Sequence, residues 1–549
     1  MPLQYEASIQ PPCIGEVLRI VVLSSAEPEP RQKRGIERYG YAAQPMHPCS
    51  PAGLLEKLMR FSLRCLFAIS LLAGTSSLLA QSWQNVTAHL PGSVSPTAPI
   101  LLSDGSVLVH NSCGKDFYKL TPNASGSYVN GTWSSISPLP KGYAPLYFGS
   151  AILPDGRVII EGGEYNAATG RCDAVWTAQG AIYDPVANTW TSIAPPAGWQ
   201  NIGDAWGGVL ANGTYLQTSC CIKTQALLNA RTLTWTPTGS GKFDVPDEEP
   251  IVMIPGGNLL TVDAYVFQYD ATGTNSEIYN AGTGAWSKAG STVVQLWDSF
   301  PDASHASYEV GPAALRPDGT VFATGANGAG AAHTSIYNTA DGTWTPGPDF
   351  PDQLGIADGP ACTLPNGNVF MMASPLVFQS GAKFLQWDGS DLTYDAAPNP
   401  FSGDSSFYGN MVMLPTGQVL FTDFSTVAIY TPTGGPNSAW LPRITNSPSS
   451  MTRGASYTIS GRKFNGVSQG CYYGDDFASA TNFPIVRFTN QGTGHVFYGR
   501  SYGFSYMGVQ SSKPVSTQVE VPLHMETGNA SMQVVANGIA SPAVTVTIQ

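Results

Sequence analysis

Seven short turns of the Pro-Asp-Gly type punctuate the chain. Seven residues before the proline position of each stand Pro96, Tyr147, Asp204, Glu248, Val310, Asp358 and Tyr408. Glu249 lies beside Glu248, and Glu309 beside Val310. Carboxylates that recur at one register of a repeat can meet in space. Clustered, they would attract a cation such as Ca²⁺ or an amino sugar, and crowding would raise some of their pKa values toward the range of a general acid. Carboxylate pairs are also what glycosidic bond cleavage needs, although a sequence gives no separation between them. Tyr147 and Tyr408 share the register, and Tyr165 follows the second strand of its hairpin. Such aromatics offer faces on which a sugar can stack. The structural alternative is that the acids accept hydrogen bonds from neighbouring backbone N–H groups and that Tyr165 only packs.

The elements that must position these residues are hairpins. The turn segments are LLSDGSV (101–107), ILPDGRV (152–158), VLANGTY (209–215), MIPGGNL (253–259), LRPDGTV (315–321), TLPNGNV (363–369) and MLPTGQV (413–419). Apolar alternation on either side of a Gly-containing turn is a β-hairpin signature. Most hairpins are followed by a second element such as IYDPVANTW (182–190), IYNAGTGAW (278–286) or IYNTADGTW (336–344). A period near 50 residues with this content is kelch-like, each unit being a four-stranded sheet that buries both faces only when packed radially. The recurring Tyr and Trp residues are expected between sheets. SWQNVTAHLPG (82–92) reads as an outer strand lacking its own hairpin, and is expected to complete the seventh unit and close the ring.

Equal register puts the seven residues at one level of the central channel, on the face opposite the turns. Tyr147 is therefore expected to look into a channel mouth that also holds Asp204, Glu248, Glu309, Asp358 and Tyr408. After Trp440 the pattern changes. Segments 455–464, 483–490, 517–524, 530–538 and 543–549 read as strands at sandwich-like spacing, a second domain over 441–549. The expected class is all-β: a seven-bladed kelch-type β-propeller over 81–440, then an Ig-like β-sandwich.

Composition agrees. Of 549 residues, 59 are Gly and 43 Pro, and only 12% are charged. MRFSLR (59–64), the apolar run CLFAISLLAG (65–74) and TSSLLA ending at Ala80 form a secretory signal over 59–80. Residues 1–58 are polar and Pro-rich, either a disordered extension or a segment upstream of a true start at Met59. The remaining chain carries 18 basic and 32 acidic residues, a net charge of −14. That argues against nucleic acid or an anionic membrane as partner and favours cationic or neutral ligands. A secreted or periplasmic monomer is expected, with no membrane insertion once the signal is cleaved. Cys113, Cys172, Cys220 and Cys221 follow the second strands of the first three units, on the mouth face. They could form disulfides in the rim, including a vicinal Cys220–Cys221 bond, with connectivity open. Cys362 is expected as a buried free thiol, and Cys471 has no evident partner. Asp475 and Asp476 could belong to a calcium loop, or simply cap a turn.

The strand at 82–92, the seven L-x-x-G hairpins and WLPRITNSPSSMTRGASYTISG (440–461) follow in the order of the galactose oxidase-like group of kelch propellers, which this chain resembles over 82–549. The active oxidases of that group hold copper with two Tyr and two His, one Tyr being cross-linked to Cys. One His comes from a C-terminal hairpin that enters the channel. Here no inner strand starts with His or Cys, and the seventh unit reads Phe407-Tyr408-Gly409. The matching hairpin, GTGHVFYGRSYGFSYMG (492–508), offers His495, with Tyr502 or Gly503 as other candidates for the ligand position. That donor set is poor for copper, so the resemblance implies the fold and not the oxidase activity. The cofactor is left open, calcium being the metal that the acidic ring suits. The function expected first is binding of a glycan or another polar ligand without catalysis. The alternatives are a carbohydrate-active hydrolase or lyase working from the same mouth and, last, a copper radical oxidase.

Overall fold

The computed structural model describes residues 80–549 except 168–169, 266–272, 299–307, 327–330, 377–378, 471 and 473–478. The expected signal segment up to Leu79, Cys471 and the Asp475–Asp476 turn lie outside the described residues.

The described chain is all-β, a β-propeller assembled from small antiparallel sheets and followed by a larger C-terminal sheet. The innermost strands are Pro96–Leu101, Gly149–Ile152, Gly207–Val209, Ile251–Met253, Ala313–Leu315, Ala361–Thr363 and Asn410–Met413. Each of the first six begins a meander of four strands and the last one of three, and the sheets are numbered here one to seven in this order. The turns hold the hairpins as the sequence requires. In ILPDGRV, Leu153 N donates to Arg157 O at 2.8 Å and Gly156 N to Leu153 O at 2.9 Å. Gly156 has φ 83°, a left-handed conformation that a side chain disfavours.

The outer-strand tryptophans lie between sheets. Trp190 Nε1 donates to Ser137 O at 3.0 Å, Trp235 Nε1 to Ala194 O at 2.7 Å, Trp286 Nε1 to Gln225 Oε1 at 2.9 Å and Trp344 Nε1 to Ser276 Oγ at 2.9 Å. Each thus reaches back to the preceding sheet or its exit. Each also packs on a tyrosine or apolar neighbour, so apolar burial and one hydrogen bond are obtained together. The tyrosine partner is Tyr183 for Trp190, Tyr279 for Trp286 and Tyr337 for Trp344.

Sheet seven contains only three strands from its own hairpin and return. Its fourth is Ser82–Asn85, paired antiparallel with Val427–Thr431 so that Trp83 opposes Tyr430. Trp83 packs among Phe370, Phe384, Phe401, Phe421 and Tyr430. The seam is also closed on the channel side by one carboxamide. Asn410 Oδ1 accepts from Thr97 Oγ1 at 2.7 Å, Ala98 N at 3.1 Å and Thr422 Oγ1 at 3.2 Å, joining sheets one and seven.

The C-terminal region forms a nine-stranded arrangement from Arg443–Asn446 to Val544–Ile548. It rests on the turn ends of the hairpins: Val496 N donates to Ala124 O, Phe504 N to Pro154 O and Met507 N to Ala211 O. Here the structure corrects the expectation for the 492–508 segment. Val496–Tyr502 is a strand of this sheet, paired with Ile485–Asn490 and Val515–Glu520, and does not enter the channel. Its alternating side chains fit a sheet interior on one face and the Arg500–Glu520 ion pair, at 2.8 Å, on the other. Gln469 and Tyr472 do reach the inner strands. Gln469 exchanges two backbone hydrogen bonds with Leu315 and Tyr472 two with Ile251, at 2.8–3.0 Å. Gln469 Oε1 also accepts from Met253 N at 2.6 Å.

Candidate functional site: an acidic mouth with an aromatic rim

The repeat register delivers its residues through a shared backbone device. Tyr147, Glu248 and Asp358, at equal distance from their turns, have φ of 58°, 49° and 47°. Non-glycine residues rarely adopt this conformation. In sheet three the neighbour Gly203 takes it instead, with φ 67°, and delivers Asp204. In sheet five Tyr308, with φ 66°, precedes Glu309. Glu309 is fixed by a two-way contact: its N–H donates to Asp298 Oδ1 and its carbonyl accepts from Asp298 N, both at 2.8 Å.

Glu248, Glu309 and Asp358 come from three sheets, and an oxygen of each lies within 4.8 Å of the others. Glu309 and Asp358 are buried, Glu248 half-buried. Asp204, 4% exposed, approaches Asp247 within the same limit. The Asp204 and Asp247 side chains hydrogen-bond each other, and Tyr265 bonds Asp247. Glu164 completes the group. Its N–H donates to Leu146 O and Tyr147 O at 3.1 and 3.2 Å, which seats it against Tyr147.

The electrostatics follow from this crowding. Burial, then Asp204 and Asp358, push the Glu164 carboxyl up to about 9. Burial and Asp358 hold Glu248 well above the usual carboxylate range, and burial, Asp358 and Glu248 do the same to Glu309. Asp247 is raised by burial and by Asp204 and Glu248. The Tyr265 hydroxyl is raised by burial and by four of these acids. Six carboxyl groups so placed cannot all be ionised without a compensating cation.

Of the register residues, Asp204, Glu248, Glu309 and Asp358 come together. Glu249 does not join them. It turns to the opposite side, where buried Lys242 Nζ lies 3.0 Å from Glu249 Oε1, 3.1 Å from Asp263 Oδ1 and 2.8 Å from Glu277 Oε2, with Asp244 also in contact. Burial would lower the Lys242 pKa, but the four carboxylates overcome it and hold the ammonium charged. Burial nevertheless keeps Asp263 up at about 8. In sheet four the chain thus carries its own cation beside the mouth. Pro96 opens its inner strand, Val310 is buried three residues ahead of its own, and Tyr408 packs with Phe407 and Phe424.

Tyr147 and Tyr165 meet edge to face, with ring centroids 5.9 Å apart. Tyr165 lies on a small rim sheet of Pro145–Leu146, Tyr165–Asn166 and Asp173–Ala174, and Tyr147 directly follows its first strand. The next residues, Val175 and Trp176, are 52% and 51% exposed. Val175 N donates to Glu164 O and Thr177 N to Gly163 O, so Trp176 stands at the edge of the acids. Two disulfides stiffen this face. Cys113–Cys172 joins the first two units, and Cys220–Cys221 is vicinal, next to Asp204 and Asp247. Cys362 is buried in the sheet-six inner strand, outside both disulfides.

Sequence reading missed Glu164, Asp247, Tyr265 and Trp176. Glu164 and Asp247 adjoin Tyr165 and Glu248, and adjacency alone was their signal. The donor set does not fit a copper radical centre: the group consists of carboxylates and tyrosines, and contains no imidazole among the described residues. His495 lies elsewhere, with Nδ1 2.7 Å from Glu526 Oε1 on the C-terminal sheet.

No protein-family model matches the chain, and no curated protein matches it. Solved propeller-like structures do. A streptogramin B lyase structure shares 11% identity with a TM-score of 0.43, over 65% of this chain and 99% of that one. The extracellular domain of the putative one component system BT4673 from B. thetaiotaomicron shares 10% at 0.43, over 82% and 52%. YCF48 bound to D1 peptide shares 11% at 0.40, over 64% and 95%. At this distance nothing about ligand or activity passes from them to this chain.

Proposed function

We propose that this is an exported kelch-type propeller of seven blades with an Ig-like C-terminal domain, and that it binds a glycan or another polar ligand at the acidic mouth without turning it over. The observation that carries the reading is the meeting of six carboxyl groups with the Tyr147–Tyr165 pair and Trp176 on one rim. Sugar recognition combines an aromatic face for the ring with polar groups that fix its hydroxyls or amines.

The test is a glycan panel applied to the exported protein, followed by calorimetry on the hits and product analysis after long incubation. Binding with intact ligand supports the reading. Cleaved or eliminated product, abolished by Asp204→Asn or Glu248→Gln, replaces it with a carbohydrate-active enzyme. No binding by any glycan or polar cation overturns it.

A further inference from the structure

We propose that Glu248, Glu309 and Asp358 hold one hard divalent cation of the calcium class, and that the ligand of the mouth is held through that ion. The second half rests on the binding reading above; the first does not.

Three carboxylates from three sheets present oxygens within 4.8 Å of one another. Calcium–oxygen distances of about 2.3–2.6 Å place ligands on opposite sides of the ion about 4.6–5.2 Å apart. The triad therefore suits one calcium. Carboxylate oxygens also match the preference of a hard cation, and carboxylates can bind in one- or two-oxygen mode to reach its coordination number.

Asp204 supplies an independent pointer. It comes from a fourth sheet, is 96% buried and acts electrostatically on Glu248 and Glu164. Its side chain shares a hydrogen bond with the Asp247 carboxyl, so this pair holds a proton unless a cation takes its place. Sheet four shows the same logic already satisfied. There Lys242 Nζ sits among Asp244, Glu249, Asp263 and Glu277, three of which have the spacing of a metal site. The chain fills one acidic cage with a tethered ammonium, and the neighbouring cage begins one residue along the backbone, at Glu248.

A calcium ion there would keep outward coordination positions for water or for ligand hydroxyls. It would also let the surrounding acids ionise at neutral pH.

The test uses the full exported chain, stripped with chelator and dialysed. Calorimetric titration with CaCl₂ alone is expected to show about one ion per chain. Glu309→Gln and Asp358→Asn are each expected to weaken uptake by at least about tenfold, because affinity follows the number of charged ligands. Asn tolerates the left-handed backbone of residue 358, and Glu309→Gln, at a separate backbone site, gives the same reading should that variant not fold. No uptake by the stripped protein, or uptake unchanged in both variants, overturns the ion site. Glycan binding measured with and without chelator separates the two readings. Calcium uptake without glycan binding upholds the site and refutes the binding function. Glycan binding indifferent to chelator, with no calcium uptake, does the reverse.

Discussion

Glu248 and Asp358 are equivalent residues of two different repeats whose carboxylates converge. Each stands seven residues before its turn proline, Pro255 or Pro365, and each is left-handed, with φ of 49° and 47°. Strained backbone of this kind costs about 1–3 kcal/mol per residue and persists only where the surroundings impose it. Repeating it in sheets four and six points two acids at one place, with Glu309 between them in chain order.

The exposed rim aromatics make the most direct prediction about binding. Trp176→Ala and Tyr165→Ala are expected to weaken glycan binding by roughly 1–2 kcal/mol each, about five- to thirtyfold. The melting temperature should barely move for Trp176→Ala, because that side chain is half exposed. Calorimetry and thermal melts on the same samples check both statements. Equal affinity in the two variants would remove the rim from the binding site.

Glu161 is fully buried, and no described residue hydrogen-bonds either carboxylate oxygen. Burial holds its carboxyl well above the usual range. The folded protein therefore keeps the proton while the unfolded chain loses it, so this group reduces stability as pH rises above about 4.5. Glu161→Met should stabilise the protein by about 1–3 kcal/mol at pH 8, less at pH 5. Urea titrations at the two pH values measure the difference. A destabilised variant with unchanged pH slope would show that Glu161 is ionised and paired.

His110 predicts the opposite slope in acid. It is fully buried, and Nε2 meets Gly114 O at 2.8 Å, which assigns the proton to Nε2 and leaves Nδ1 bare. Burial lowers its pKa to about 4 despite that bond. Its folded value lies below the unfolded one, so stability present above about pH 6.5 is lost as pH falls toward 4, up to about 3 kcal/mol. His110→Gln should flatten that part of the curve, whatever its effect at neutral pH.

Asn410 Oδ1 accepts three hydrogen bonds, two from Thr97 and Ala98 of the first sheet and one from Thr422 of its own. Asn410→Ala is expected to cost about 3 kcal/mol, roughly one for each bond lost. Hydrogen exchange should quicken first in Ser82–Asn85 and Pro96–Leu101, at the seam. Uniform quickening around the whole ring would mean that the carboxamide is not what closes it.

Much of this architecture is legible in the sequence because its signals are local. A turn such as ILPDGRV states its own geometry, and counting back seven residues from each turn locates three of the six acids, with Glu309 one residue further back. Glu249 shows the limit of that count. The left-handed backbone at Glu248 aims that residue at the mouth, and the next residue belongs to the Lys242 cage. Glu164 and Asp247 sit in the irregular links ahead of or behind the strands, where no period applies. The bridges from Gln469 to Leu315 and from Tyr472 to Ile251 have no local signal, because they join segments far apart in the chain.

Trp83 sets the order in which the ring can be completed. It lies near the start of the described chain, yet every aromatic it packs against belongs to the last two sheets or the links between them. During synthesis its strand stays an unsatisfied edge until Val427–Thr431 has emerged. Closure is thus a late, long-range event, with the exposure to misassociation that such contacts bring. The amino-terminal strand is therefore the edge that stays open longest as the ring is assembled.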